Sequence, residues 1–328
     1  HEARGAILYV NLEPCCHFGR TPPCVERIID NGVRAVYACL RDPDPRVDGR
    51  GFEALRNGGV PVEEGFLREE ALHLNEAFAK FVQTRRPFLV VKGAMSLDGK
   101  LATRKGDSFW ISGEESRQFG HRLRFESDAI MVGCGTVLQD DPRLTIRAPG
   151  LQEKQLTRVI MDSQLHCPVS AAVLRTQAQG PVLIYAAPDA STAARRELEK
   201  AGALVITIPA PGGRVSLREA LLDMGRRNLT SVLLEGGGTL IGTAFRHGMV
   251  DKCFLFLAPL FIGGDRSPGL IRDAGWDHLA DCPRLDSLRL SQRGRDILLE
   301  GYPVFTDVIE ESMMEEERLS ADSAAGGV

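Results

Sequence analysis

Short apolar runs alternate with helix-length segments along almost the whole chain, and this rhythm restricts the possible folds more than any other feature. Residues 6–10, 35–40 and 60–63 read as strands, and residues 24–30, 52–57 and 67–81 as the helices that follow them. Strands separated by helices pair in parallel, because the crossover helix returns the chain to the same end of the sheet. The polar stretch Thr84-Arg85-Arg86-Pro87 ends in a helix breaker. It marks a boundary between a first domain, 1–84, and a second, 88–306. A chain of 328 residues exceeds the usual size of one core, so two domains are expected.

The second domain resumes the alternation. Strands are expected at 88–91, 129–132, 158–161, 182–185, 204–208, 231–234 and 252–258, and helices at 192–201, 217–226 and 240–247. Ser112 followed by Glu115 has the pattern of a capping box, starting a further helix that runs to about residue 126. Residues 307–328 are acidic, then small, with no apolar period, and are expected to be a disordered tail.

Composition excludes several classes. A net charge of -4 argues against a nucleic-acid binder that relies on a broad basic face. No apolar run is long enough to span a bilayer and no signal-peptide pattern is present, so neither nucleic acid nor membrane is an expected partner, and cytoplasm is the expected compartment. Eight cysteines scattered over this length do not suggest a disulfide scaffold.

Two segments carry chemistry. In Leu12-Glu13-Pro14-Cys15-Cys16-His17-Phe18-Gly19-Arg20-Thr21-Pro22-Pro23-Cys24, a proline-braced loop holds Cys15 and Cys24. Thiolates in a stiff loop suit tetrahedral zinc, although two buried structural thiols would read the same way. Zinc nucleobase deaminases combine a Pro-Cys…Cys pair with an upstream His-x-Glu, whose glutamate moves protons. No His-x-Glu precedes Cys15, and His1-Glu2 is adjacent rather than spaced. The first methionine is Met95, so the chain is expected to be a fragment starting after that motif, with two of three zinc ligands and no catalytic glutamate.

The other segment, Ser231-Val-Leu-Leu-Glu235-Gly236-Gly237-Gly238-Thr239, is an apolar strand feeding a glycine turn at the start of a helix. Such a turn lets an anion approach bare amides at a helix N-terminus. Ile241 stands where G-x-G-x-x-G needs its last glycine, so a Rossmann domain is not indicated. By itself this turn is as compatible with an ordinary strand-to-helix connection.

Taken in order, the cysteine loop, Ala94-x-Ser96-Leu97-Asp98-Gly99, Ser108-x-Trp110-Ile111-Ser112 and Gly133-x-Gly135-Thr136-Val137-x-x-Asp140-Asp141-Pro142-x-Leu144-Thr145-x-Arg147 resemble the bifunctional deaminase/reductase family of riboflavin biosynthesis. The resemblance runs from Gly5 to about Val304. It implies an α/β chain: a truncated cytidine-deaminase-like zinc domain followed by a dihydrofolate-reductase-like domain that uses NADPH. The implied reactions are hydrolytic deamination of a diaminopyrimidinone ribosyl phosphate, impaired or absent in this fragment, and reduction of the resulting ribosylaminouracil phosphate to its ribityl form.

Carried over by position, the resemblance implies zinc ligation by Cys15 and Cys24. Cys16 stands where the family often has serine. Ala94, Trp110, Thr136, Asp140, Ser163, Gly237, Gly238, Thr239, Leu240, Ile241, Gly242 and Thr243 would line an NADPH groove. Ser108, Arg124, Leu144, Arg147 and Glu235 would face the ribosyl-phosphate substrate, with Arg124 and Arg147 forming a charge-assisted phosphate clamp. Lys92 and Asp98 are candidate proton donors. Self-association through the reductase half is also implied. Each has a plainer reading: Trp110 as core, Asp140-Asp141-Pro142 as a turn, Arg124 as part of a solvated cationic helix face with Arg117, His121 and Arg122, and His17 and Arg20 as loop-shaping residues. The rival functions are a reductase with a purely structural first domain, and a non-catalytic nucleotide-binding module.

Overall fold

The computed structural model describes residues 3–19, 21–148 and 154–306. The expected disordered tail, 307–328, and Arg20 lie outside them. The chain divides into two compact units, one ending at Phe88 and the other starting at Leu89.

The first unit contains β1 (Ile7–Val10), α1 (Cys24–Asp30), β2 (Ala35–Ala38), α2 (Arg50–Asn57), β3 (Val62–Glu64) and α3 (Arg68–Thr84). The strands pair in parallel in the order β1-β2-β3. Its core gathers Val25 and Ile28 of α1, Val36 of β2, Leu55 of α2 and Val60. Glu13 is only 3% exposed and organises the loop beside this core. Its carboxylate accepts the amides of Asp42, Gly49, Gly51 and Phe52 at 2.8–3.2 Å. A buried carboxylate needs such donors.

The second unit contains β4 (Phe88–Ser96), α4 (Glu114–Glu126), β5 (Ala129–Gly133), α5 (Cys134–Asp140), β6 (Thr157–Met161), α6 (Ala172–Arg175), β7 (Val182–Ala186), α7 (Thr192–Lys200), β8 (Leu204–Thr207), α8 (Leu217–Arg226), β9 (Ser231–Glu235), α9 (Gly238–Arg246), β10 (Lys252–Ala258), β11 (Arg284–Arg293) and β12 (Asp296–Val304). They build one mixed sheet ordered β11-β12-β10-β4-β9-β5-β6-β7-β8. β10 runs parallel to β4, β9 to β5, and β5 through β8 to one another. The β11–β12 hairpin is antiparallel and joins the sheet antiparallel to β10.

Both faces of the central strands are covered, which explains their uninterrupted apolar sequence. In β5, Ala129 and Met131 enter one core with Val159, Leu183 and Val232. Ile130 and Val132 enter another with Ile160, Ile184 and Val205. Each fully buried aliphatic side chain contributes about 1.5–3 kcal/mol. A charge crosses this pattern: Arg158 of β6 is fully buried, with no carboxylate partner among the described residues. Its guanidinium donates to the Val173 and Thr176 carbonyls, to the Thr176 hydroxyl and to the Gly180 carbonyl. Burial drives its pKa down to about 10.

Two expectations are corrected. The β11–β12 hairpin is absent from the sequence reading because β11 is exposed along most of its length and shows no apolar alternation. Ser112 does not cap α4. The N-cap is Gly113, without a side-chain cap bond. Asp296, buried at the start of β12, accepts from the Gly113 amide at 2.7 Å and the Ser116 hydroxyl at 2.6 Å. A carboxylate from a distant strand thus does what the local serine was expected to do.

Candidate functional site

β9 inserts between β4 and β5, while β10 lies on the far side of β4, so the winding of the sheet reverses there. Crevices open at the carboxyl ends of strands where winding reverses. A cavity of about 2420 Å³ lies at this place, lined from β4 by Lys92 and Ala94, from β5 by Val132 and Gly133, from β6 by Met161 and from β9 by Glu235. A site for one small ligand occupies roughly 300–1,000 Å³, so this one has room for two ligands side by side.

On one wall, β9 runs into the glycine turn. Gly236 and Gly237 both take φ of 70°, a left-handed conformation that side chains resist. A Cβ on Gly237 would stand 3.2 Å from Thr136 Oγ1. The turn opens α9, whose first amides have no acceptor within the helix. Thr239, Leu240, Ile241 and Thr243 also line the cavity. Gly242 is not in the lining; a Cβ added there would run into the Arg272 carbonyl. Asp140, at the end of α5, lines the cavity and its carboxyl is pushed up by burial. Its neighbour Asp141 is a turn residue, accepting from the Ala172 amide at 2.6 Å. Ser163 is on the rim, where its hydroxyl accepts from the Val215 amide at 3.0 Å.

Ser108, Trp110 and residues of α4 also line the cavity. Trp110 is 62% exposed, so it is not core. The Arg117 guanidinium stacks 4.5 Å over its ring, leaving a flat surface braced from one side. Arg124 is no solvated cation. Its Nε and Nη2 donate to the two oxygens of Glu235 at 2.9 and 2.7 Å, and Nη1 donates to the Thr145 carbonyl at 2.9 Å. Burial alone would raise the Glu235 pKa, but the Arg124 charge and hydrogen bonds outweigh it, with help from Lys92 and His121, leaving it at about 2. The loop pinned by Arg124 carries Leu144, buried in the left-handed region at φ 53°, and Arg147. Arg124 therefore braces the loop at Thr145 and spends its charge on Glu235, which leaves Arg147 as the freer cation of the expected clamp.

The candidate proton donors separate. Lys92 is half-buried at the cavity, and loss of hydration there pushes its pKa down. Asp98 is a loop staple outside the lining: it accepts from the Ile262 and Gly263 amides at 3.0 and 2.7 Å, and hydrogen bonds hold its pKa near 2. His121 joins the lining without having been expected there as a site residue. Its position three residues before Arg124, on the same helical face, was the available signal.

In the first unit, Cys15 and Cys24 do come together, the Cys24 amide donating to Cys15 Sγ at 3.3 Å. Burial and then the Cys15 neighbour push the Cys24 thiol up, toward the protonated form. Zinc needs thiolates and a tetrahedral set. Among the described residues no group of three or more His, Cys, Asp or Glu side chains is arranged to hold a metal. The expected zinc site thus has two donors without a third among the described residues. Cys16 donates to the Arg46 carbonyl at 3.8 Å, and His17 Nδ1 is buried without a hydrogen-bond partner among the described residues. Among the described residues no helix is long and apolar enough to cross a membrane.

Residues 87–299 match the family described as RibD C-terminal domain. The riboflavin biosynthesis protein RibD of Bacillus amyloliquefaciens is 38% identical over 301 residues, covering 92% of this chain and 80% of that protein. The Acinetobacter baumannii RibD structure is 32% identical with a TM-score of 0.80, covering 92% of this chain and 82% of its own. The Thermotoga maritima structure titled a diaminohydroxyphosphoribosylaminopyrimidine deaminase/5-amino-6-(5-phosphoribosylamino)uracil reductase is 30% identical with a TM-score of 0.76, covering 93% and 81%.

Proposed function

The chain belongs to the RibD family of riboflavin-biosynthesis proteins, and from that premise we propose that its larger unit reduces 5-amino-6-(5-phosphoribosylamino)uracil with NADPH. The observation that carries the reading is one cavity lined both by a glycine turn at a helix N-terminus and by Trp110, Arg147 and the Arg124–Glu235 pair. Amides at the start of α9 suit the cofactor's phosphates. Trp110 offers an aromatic face, and Ala94 at the end of β4 leaves room for a flat ring.

The cofactor, when bound, supplies hydride to C1′ of the ribosylamino group as the sugar ring opens. The protein's own part is alignment, exclusion of water and delivery of one proton. Glu235, kept ionised by Arg124, accepts from N–H groups of the pyrimidine. Ser108 and Arg147 hold the sugar phosphate. Lys92 is the proton donor of this reading: its partly desolvated ammonium gives up a proton more readily than an exposed lysine, and the departing ring oxygen needs one. Asp98 has no such role.

The first unit is read as the cysteine-loop part of a deaminase domain, over 1–84. With two thiols and no third donor among the described residues, no deamination is assigned to it. Self-association through the reductase half belongs to the same reading, and the outer strand β11, with Leu288 and Leu290 exposed, offers an edge for it.

Mixing the protein with NADPH and the deaminated ribosyl phosphate while following nicotinamide absorbance tests the reductase. Loss of absorbance that requires the substrate is expected. Tight NADPH binding without oxidation would favour the nucleotide-binding module instead.

A further inference from the structure

The phosphate clamp expected from Arg124 and Arg147 loses one member in the fold. Three of the five N–H groups of Arg124 are used by Glu235 and the Thr145 carbonyl, and Glu235 cancels its charge. Arg147 lies next along the same loop, its pKa pulled down by burial and by Arg124 and Arg143. A phosphate held by Ser108 and the Arg147 guanidinium still has an oxygen free for a further donor.

His121 supplies that donor. It stands one turn before Arg124 on α4 and lines the same cavity. Its Nδ1 accepts from the Arg147 backbone amide at 3.3 Å. A neutral imidazole that accepts at Nδ1 carries its proton at Nε2, so that nitrogen is a donor. The groups facing it are Arg124, Arg147, Lys92 and Glu235. Burial first, then the positive charges, hold its pKa at about 4, so it stays neutral at ordinary pH. A neutral donor adds a hydrogen bond without bringing another cation out of water beside Lys92 and Arg147.

We propose that His121 is a phosphate-binding residue of the reductase: Nδ1 fixes the Arg147 backbone, and Nε2–H donates to the 5′-phosphate of the substrate beside the Arg147 guanidinium. The proposal rests on the reductase reading and replaces Arg124 by His121 in the clamp.

Two variants separate the nitrogens. His121→Asn keeps an acceptor near the Nδ1 position and loses the Nε2 donor; His121→Gln keeps a donor near Nε2. With the 5′-phosphorylated substrate, His121→Asn raises KM about tenfold, the effect of losing one charge-assisted hydrogen bond, while kcat changes about twofold or less. With the dephosphorylated substrate its KM stays within about twofold of the parent, and His121→Gln recovers most of the loss. Equal effects on both substrates, no effect on either, or a glutamine variant as poor as the asparagine one would overturn the proposal. Independently of any variant, 15N spectra of histidine-labelled parent protein should show the Nε2–H tautomer, with its resonance moving on addition of phosphorylated but not dephosphorylated substrate; an Nδ1–H tautomer would also overturn it. A parent enzyme that does not oxidise NADPH would instead remove the reductase reading itself.

Discussion

Arg124 and Glu235 form a two-pronged ion pair, 2.9 and 2.7 Å long, between a helix and a strand end that lie 111 residues apart. Side-chain exposures of 15% and 12% make it a largely desolvated pair. Such a pair contributes little net stability, yet breaking it from one side strands a buried charge.

Arg124→Gln should therefore destabilise the second unit by about 3–5 kcal/mol. Adding Glu235→Gln to that variant should recover part of the loss, because the orphaned carboxylate is gone. Urea denaturation of the two single variants and the double variant measures the coupling. Simple additivity would contradict a paired role.

Arg147 predicts the opposite profile. Its side chain sits at the cavity, and among the described residues its removal breaks no ion pair. Arg147→Ala should leave the urea midpoint nearly unchanged and raise KM at least about tenfold for phosphorylated substrate, with far less effect on the dephosphorylated form. Initial-rate kinetics with both substrates decides between a phosphate contact and a general electrostatic one.

Stability should fall in two steps on acidification. The His121 pKa is lowered from 6.5 to about 4 in the fold, so the unfolded chain binds the proton more readily and stability drops as pH falls from about 6.5 to 4. The Glu235 pKa is lowered from 4.5 to about 2, so its contribution is complete above 4.5 and disappears toward pH 2. Chemical denaturation across this range should show both losses, and His121→Asn should erase the upper one.

Arg158→Met should be among the costliest single changes. It leaves the carbonyls of Val173, Thr176 and Gly180 buried without this donor. At about 1–3 kcal/mol for each unsatisfied group, a loss of at least about 3 kcal/mol is expected. Arg158→Lys should not rescue it, since an ammonium cannot span the same acceptors. Thermal unfolding of both variants checks this.

The central strands were legible because burial on both faces writes itself as an unbroken apolar run, as in Ala129–Gly133 and Ser231–Glu235. The glycine turn was legible because two positive φ angles in succession leave few alternatives to glycine. The β11–β12 hairpin was not, since Arg284, Asp286, Arg289 and Arg293 interrupt any face it has. Pairings such as Arg124 with Glu235, or Asp296 with Gly113, join residues more than a hundred positions apart and leave no local trace. Arg124 therefore read as a surface or phosphate-binding cation, and His121 as its solvated neighbour, when both are fixed by contacts that only the folded sheet supplies.

Asp296 enters the chain 183 residues after the Gly113 amide it holds. The helix bearing His121 and Arg124 thus lacks its N-terminal anchor until β12 has left the ribosome. A growing chain can lay down its central strands early, yet it can fix this helix only once that later strand has emerged.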